Sequence, residues 1–132
     1  MANPVPKEYA DLFGKKCFAH LATLMSNGQP QVTPVWCEYD GTHVLINTAA
    51  GRQKDKNMQR DARVTLCLVD PDNAYRYVEV RGRVAQRLLE GADAHIDKLS
   101  KKYLGQDKYP YRKAGEVRVI YKIAVDRASG MA

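Results

Sequence analysis

The chain has 132 residues, of which 45% are apolar and 27% charged, so we expect one folded domain over residues 1–132 and not a disordered chain. Its formal net charge of +6 favours an anionic partner such as phosphate, nucleic acid or an acidic cofactor. No apolar run reaches the roughly 18 residues of a membrane span, and the N-terminal residues lack the apolar core of a secretory signal, so we expect a cytoplasmic protein without a membrane partner.

Alternating apolar residues predict three strands in the first part of the chain. The first covers residues 17–25, the second 31–39 and the third 42–48. Asn27-Gly28 and Asp40-Gly41 separate them, and such pairs favour the positive φ angles of tight hairpin turns. This part of the sequence therefore predicts an antiparallel meander.

The second part mixes helices and strands. A polar segment without β-branched residues predicts a short helix over residues 51–61, and helical spacing of apolar residues predicts another over 91–104. Strands are expected at residues 64–69, 75–88 and 117–125. Six strands with a few helices favour a small antiparallel barrel or an α+β sandwich.

The segment between the third strand and the first predicted helix has the composition of a phosphate site. Arg52, Lys54 and Lys56 follow Gly51, where a helix opens and its first backbone N–H groups are free. A basic run of this kind is also typical of a solvated helix.

The second predicted strand contains a proline in the segment Thr33-Pro34-Val35-Trp36. Because proline has no N–H to donate, Pro34 indicates a strand edge or a bulge where backbone groups meet something else, and a planar ring is one candidate. The alternative is a bulge with Trp36 buried as ordinary core.

Aromatic and basic residues alternate at Tyr75-Arg76-Tyr77 and again at residues 109–113. They would stack on a heterocycle and hold an acidic tail, or anchor a subunit interface. Three cysteines and three histidines are scattered without ligand spacing, so no metal site is expected. Nucleic-acid-binding patterns are also missing, and we expect no nucleic-acid partner. With no acid–base pair or nucleophile motif, no catalytic side chain is predicted, and a cofactor would carry any reaction.

The order of these motifs resembles the pyridoxamine 5'-phosphate oxidase-like split-barrel family over nearly the whole chain, and most closely its F420-dependent branch. The motifs that carry the resemblance are Thr33-Pro34-Val35-Trp36, Asn47-Thr48, Gly51-Arg52-x-Lys54-x-Lys56-Asn57, Arg60-Asp61-x-Arg63-Val64 and residues 77–82. The resemblance implies a mainly β, six-stranded antiparallel split barrel. It also implies a homodimer with two equivalent cofactor sites between the subunits.

The cofactor implied by the resemblance is coenzyme F420, with FMN as the alternative. Thr33, Pro34, Val35 and Trp36 match the strand along the ring, Thr48 faces the cofactor, and Arg52, Lys54, Lys56 and Asn57 match the phosphate segment; Tyr75, Arg76 and Tyr77 would approach from the second subunit. F420 also has a polyglutamate tail, for which basic residues within 98–113 offer a second cationic track or, alternatively, a solvated surface.

The activity implied is that of an F420-dependent oxidoreductase, a reductase that passes a hydride between the deazaflavin and a small conjugated or heterocyclic acceptor. Two alternatives are an FMN-binding oxidoreductase of the same fold and a non-catalytic carrier of flavin, F420 or haem. Oxidation of pyridoxamine phosphate is not expected, because the C-terminal Arg-x-His and Trp…Arg-Leu elements of true oxidases have no counterpart in residues 121–132.

Overall fold

The computed structural model describes residues 4–131, so residues 1–3 and 132 of the predicted domain lie outside the described part. The strands are β1 (Ala19–Leu24), β2 (Pro30–Val35), β3 (Cys37–Tyr39), β4 (His43–Ala49), β5 (Arg63–Asp70), β6 (Asn73–Leu88) and β7 (Arg118–Met131). The helices are α1 (Lys7–Ala10), α2 (Gln53–Arg60) and α3 (Ala92–Leu104), and a 3₁₀ turn at Asp11–Phe13 follows α1. None of the helices within residues 4–131 has the length and apolar character needed to cross a membrane.

All seven strands form one antiparallel sheet in the order β2-β1-β5-β6-β7-β4-β3. Strands β2 and β3 follow each other in the chain but lie at opposite ends of this order, with Trp36 alone between them. The sheet must therefore curl until its two ends meet at Trp36. This architecture confirms the mainly β split-barrel fold.

The expected count of six strands is wrong, because the predicted strand over residues 31–39 is two strands. Its first part pairs with β1, ending at Val35 opposite Ala19, whereas its second part pairs with β4, beginning at Cys37 opposite Ile46. A continuous strand would have to follow both neighbours at once, so the chain breaks where the partner changes. The hairpins on either side form as predicted.

The core fills the inner face of the curled sheet. Leu21, Leu66 and Val80 are at most 1% exposed, and Leu12 and Phe13 of the 3₁₀ turn pack into the same cluster. That N-terminal helical segment was not predicted from the sequence, since it is only seven residues long with its 3₁₀ turn and has no repeating apolar pattern.

Strand β7 is buried on both faces over its first half. Val119, Tyr121, Ile123 and Val125 alternate toward the inner core, as expected, while Ile120 packs against α3 on the other face. The predicted start at residue 117 is wrong, since Val117 is 49% exposed and precedes the strand. The strand also runs on to Met131, because it pairs with β6 as far as Tyr77.

Candidate functional site

A cleft of about 170 Å³ lies where β2 ends, β4 ends and α2 begins. One wall is apolar and aromatic and the other is polar and cationic. The first wall is formed by Phe18, Pro34, Val35, Trp36, Ile96, Tyr109 and Tyr111, and the second by Asn47, Thr48, Arg52, Lys54 and Arg118. The cleft therefore joins a surface suited to a planar ring with one suited to an anion.

The aromatic wall is held in place by ring packing. Trp36 stacks on Tyr103 with ring centroids 5.2 Å apart and planes 7° apart. Tyr109 meets the edge of Trp36 at 5.9 Å, and Tyr111 meets Tyr109 at 5.8 Å. The loop that contains both tyrosines is tied to α3, since the Tyr109 N–H donates to Asp97 Oδ1 at 2.8 Å. These contacts fix the wall before any ligand binds.

The polar wall concentrates positive charge. Arg52, Lys54 and Arg118 line it, and the carboxylate nearest to them is Glu116, which lies 2.8 Å from Arg118 Nη1 and 3.8 Å from Arg52 Nη2. Burial lowers the pKa of Lys54, and the neighbouring charges of Arg52 and Arg118 lower it further. Three positive groups and one negative group leave a net charge of +2 at this wall.

Two groups at this wall lack partners within residues 4–131. Lys54 has no ion pair or side-chain hydrogen bond, and the buried Thr48 Oγ1 has no hydrogen-bond partner. The unpaired lysine can bind an anion in the cleft, whereas the Thr48 hydroxyl is enclosed on the face of β4 that Val119 shares. A phosphate group fits these residues in charge and in hydrogen-bonding capacity.

Helix α2 presents this wall because Asp55 ties it to the sheet. The Asp55 carboxylate is 1% exposed and accepts hydrogen bonds from Arg87 on β6, from the Tyr121 hydroxyl on β7 and from the Gly51 N–H. Gly51 adopts φ +91°, which places its N–H over the first turn of α2. The Gly51 N–H is therefore paired, while the availability of the N–H groups of the first helical turn, which begins at Gln53, stays a prediction.

Half of the residues predicted to bind the cofactor line this one cleft. They are Pro34, Val35, Trp36, Thr48, Arg52 and Lys54. Thr33 pairs with Leu21 on β1 and does not line the cleft, although the next residue, Pro34, does. Lys56 is exposed and also lies outside the cleft lining. Asn57 is fully buried and donates to Thr23 Oγ1 at 3.0 Å, so it joins α2 to β1.

Tyr75, Arg76 and Tyr77 begin β6 and lie outside the cleft lining of their own chain. Arg76 forms ion pairs with Asp11 and with Asp70, the latter at 3.0 Å. The hydrogen bond to Asp11 and, to a smaller extent, the one to Asp70 raise the pKa of the Arg76 guanidinium. A contact between these three residues and the cofactor of a second subunit stays a prediction.

Arg118 and Asn47 line the cleft but were not predicted to bind the cofactor, although Asn47 belongs to the Asn47-Thr48 motif. Arg118 is a buried charged residue at the start of β7, followed by three buried residues, and Asn47 is an amide inside β4, whose neighbours are buried. A polar residue within a buried strand is a usable signal, because burying it requires a partner. Tyr109 and Tyr111, named from the sequence as companions of the aromatic segment, do line the cleft.

The second cationic track is largely neutralised by carboxylates of the same chain. Lys98 pairs with Glu38 at 3.1 Å, and Lys101 pairs with Asp107 at 3.2 Å. Arg112 pairs with Asp93 and Asp97, and Lys102 donates to the carbonyls of Phe13 and Cys37. With Lys108, which lies 3.7 Å from Asp97, four of the six basic residues of this track are paired with carboxylates.

Comparisons with known proteins agree with this geometry. The chain is similar to an F420 reductase, with 32% identity over 95% of this chain and 98% of that one and a TM-score of 0.84. It is also similar to a conserved hypothetical protein of Mycobacterium tuberculosis, with 26% identity over 98% and 86% of the two chains and a TM-score of 0.74. HupZ of Group A Streptococcus, at 20% identity over 96% and 93% and a TM-score of 0.68, shares the fold.

The family comparison covers almost the entire chain. Residues 5–132 match the family model of pyridoxamine 5'-phosphate oxidase. The match includes both walls of the cleft and every strand of the curled sheet. The chain therefore belongs to the pyridoxamine 5'-phosphate oxidase family.

Proposed function

We propose that this protein is an F420-dependent oxidoreductase that passes a hydride between the deazaflavin and a small conjugated or heterocyclic acceptor. The observation that carries the proposal is the cleft in which an aromatic wall meets a wall of net charge +2 that includes Lys54, a lysine without an ion pair in residues 4–131. Similarity to an F420 reductase over 95% of the chain supports it.

In this proposal the protein binds and orients the cofactor. Residues Pro34–Trp36 lie along the ring, and Arg52 and Lys54 hold the phosphate. F420, when bound, supplies hydride chemistry at its deazaflavin ring, so the protein needs no nucleophile. The fixed stacking of Trp36 on Tyr103 keeps the ring wall in one orientation, which favours transfer because the reacting atoms must be held close and aligned.

We infer that the active form is a homodimer. At about 170 Å³ the cleft of one chain is smaller than the roughly 300–1,000 Å³ of typical ligand pockets. It opens at Phe18 and Pro34, which also border a neighbouring groove. Beside this groove, the outer face of the sheet exposes Val32, Tyr77 and Met131. A second copy packed on these exposed apolar residues would complete the site.

The dimer has a direct test. Sedimentation analysis should give twice the chain mass of 14.9 kDa. Val32→Glu places a charge on the outer face, where Val32 is 59% exposed, and should yield a folded monomer that binds cofactor weakly. A wild-type protein that sediments as a monomer and still binds the cofactor would contradict the inference.

The choice of cofactor is tested by titration. Purified protein should bind F420 more tightly than FMN, as followed by quenching of cofactor fluorescence. FMN is the competing candidate, because one phosphate beside a ring site meets the needs of the polar wall equally well. A clear preference for FMN would contradict the assignment of F420 and favour an FMN-dependent oxidoreductase.

Turnover separates an enzyme from a carrier. Reduced F420 mixed with quinones, nitro compounds or tetrapyrroles such as biliverdin should be oxidised in the presence of the protein. Tight cofactor binding with complete inertness across the panel would favour the non-catalytic carrier of flavin, F420 or haem.

Lys54→Ala tests the phosphate role of the polar wall. Losing a hydrogen bond to a charged group should weaken cofactor binding by about 1.5–3 kcal/mol, or roughly 10- to 150-fold in Kd. Lys113→Ala is the matched control, since Lys113 is exposed and outside the cleft lining. Equal affinities for the two variants would remove Lys54 from the site.

A further inference from the structure

We propose that Arg118 binds the cofactor phosphate, and that Asn47 and His95 form a chain of side chains that orients Arg118. The inference rests on the proposed function, because it assigns further residues of this chain to the same cofactor site.

Arg118 combines burial with an unused donor. Its side chain is 3% exposed and lines the cleft. Nε donates to Asn47 Oδ1 at 2.8 Å and Nη1 to Glu116 Oε1 at 2.8 Å, while Nη2 has no acceptor within residues 4–131. A guanidinium is normally buried only when its donors are satisfied, so the remaining donor indicates a ligand oxygen in the cleft.

The charges at this wall match a phosphate. Arg118, Arg52 and Lys54 share one small cleft with Glu116, and the group carries a net charge of +2. A phosphate monoester carries about −1.5 to −2 at pH 7 and would balance that charge. Without an anion the three cations repel one another, and this repulsion contributes to the lowered pKa of Lys54.

The unpaired Thr48 hydroxyl does not join Arg118 at this wall. Thr48 pairs with Val119, whose side chain faces the inner core, whereas Asn47 pairs with Ile120 on the side of the sheet that α3 covers. Adjacent residues of a strand point to opposite faces, so Arg118 lies on the Asn47 side alone.

The orientation of Arg118 depends on the Asn47 amide. Its Oδ1 accepts from Arg118, so its Nδ2 points the other way, donating to Ala92 O at 2.9 Å and lying 3.1 Å from His95 Nδ1. An amide nitrogen only donates, and His95 Nδ1 must therefore be the acceptor. This assignment places the imidazole proton on Nε2.

The chain of side chains ends at His95. Its Nε2 is buried and has no hydrogen-bond partner within residues 4–131, and the Glu38 carboxylate lies beside it with Oε1 at 3.3 Å. His95, together with Lys98, lowers the pKa of the Glu38 carboxyl to about 2. Donors and acceptors therefore run in one direction from Arg118 on β7 through Asn47 on β4 to His95 on α3, which makes His95 a positioning residue for Arg118.

The test compares two ligands that differ only in phosphate, FMN and riboflavin. Wild-type protein should bind FMN more tightly. Arg118→Gln should raise the Kd for FMN about tenfold or more and leave that for riboflavin within about twofold. Arg112→Gln is the control, because Arg112 is exposed and outside the cleft lining. Arg118→Lys, which keeps the positive charge but lacks the planar fork of donors, should shift the FMN-to-riboflavin ratio in the same direction and serves if Arg118→Gln does not fold.

Positioning is tested by a double-mutant cycle. His95→Leu removes the acceptor that fixes the Asn47 amide, so it should weaken FMN binding, whereas adding it to Arg118→Gln should cause no further loss. A purely structural role would instead give additive losses and a weaker affinity for riboflavin as well.

The outcomes separate the two levels of the proposal. If the wild type binds neither flavins nor F420, the proposed function fails. If it binds F420 but not FMN, the same variants are compared with F420 and its phosphate-free deazaflavin core. If cofactor binds and neither Arg118→Gln nor Arg118→Lys changes the preference for the phosphorylated ligand, the assignment of Arg118 is overturned.

Discussion

Replacing Asp55 with asparagine should destabilise the protein, because this buried carboxylate joins α2 to two strands. Its Oδ1 lies 3.0 Å from Arg87 Nε and accepts from the Tyr121 hydroxyl, and its Oδ2 accepts from the Gly51 N–H at 2.9 Å. Asp55→Asn keeps the size of the side chain and removes its charge.

The magnitude follows from burial. Breaking a buried ion pair from one side costs about 3–5 kcal/mol. Here the Arg87 side chain is 28% exposed and water can partly compensate for the lost charge. We therefore expect a loss of about 2–3 kcal/mol in the free energy of unfolding, or roughly 10 °C in Tm for a domain of this size.

Urea unfolding of the cofactor-free protein measures this change. Asp107→Asn is the control, because Asp107 is 86% exposed and its pair with Lys101 should contribute below about 0.5 kcal/mol. If Asp55→Asn is no less stable than Asp107→Asn at neutral pH, the assigned role of Asp55 is wrong.

The effect should also depend on pH. Burial alone would raise the Asp55 pKa, but the hydrogen bonds from Arg87 and Tyr121 outweigh it, and the pKa is lowered. A carboxyl with a lowered folded-state pKa stabilises the fold above its unfolded value, about 3.9, and loses that contribution as pH falls through the folded value. The stabilities of wild type and Asp55→Asn should therefore converge in acid.

Two further changes test the fold. Gly82→Ala would place a Cβ 2.2 Å from the Ala124 carbonyl oxygen at the bulge between β6 and β7. The free energy of unfolding in urea should fall by about 1–3 kcal/mol. In the control Gly14→Ala the nearest atom, the Asp11 carbonyl oxygen, would be 3.5 Å from the new Cβ, and stability should hardly change. Glu38→Gln should lower stability at pH 7, where wild-type Glu38 is ionised beside His95, and the difference should shrink as pH falls from about 4 to about 2; a difference independent of pH would contradict this.

Local patterns in the sequence account for most elements of the sheet. Asn27-Gly28 and Asp40-Gly41 mark two turns that form, with both glycines at positive φ, and period-two alternation locates β5 and β6 closely. These features depend on a few adjacent residues, so they are readable without knowledge of the fold. The interruption at Trp36 cannot be read locally, because it occurs where the pairing partner changes from β1 to β4.

The candidate site divides in the same way. Arg52 and Lys54 are basic residues at a strand-to-helix junction, which is a local pattern, and both line the cleft. Asn57 belongs to the same motif but faces β1, since one helix presents different residues to different neighbours. Arg118 lies 66 residues beyond Arg52 in the chain and meets it only through the shared Glu116.

The mainly β character, the turns, most strands and the basic segment after β4 are all readable from the chain, because turns and alternation depend on near neighbours. Which basic residues share a cleft, and that Asn47 and His95 lie next to Arg118, follow from the folded sheet. Burial and charge pairing depend on strands that are brought together by the curl of the sheet, so no local pattern reveals them.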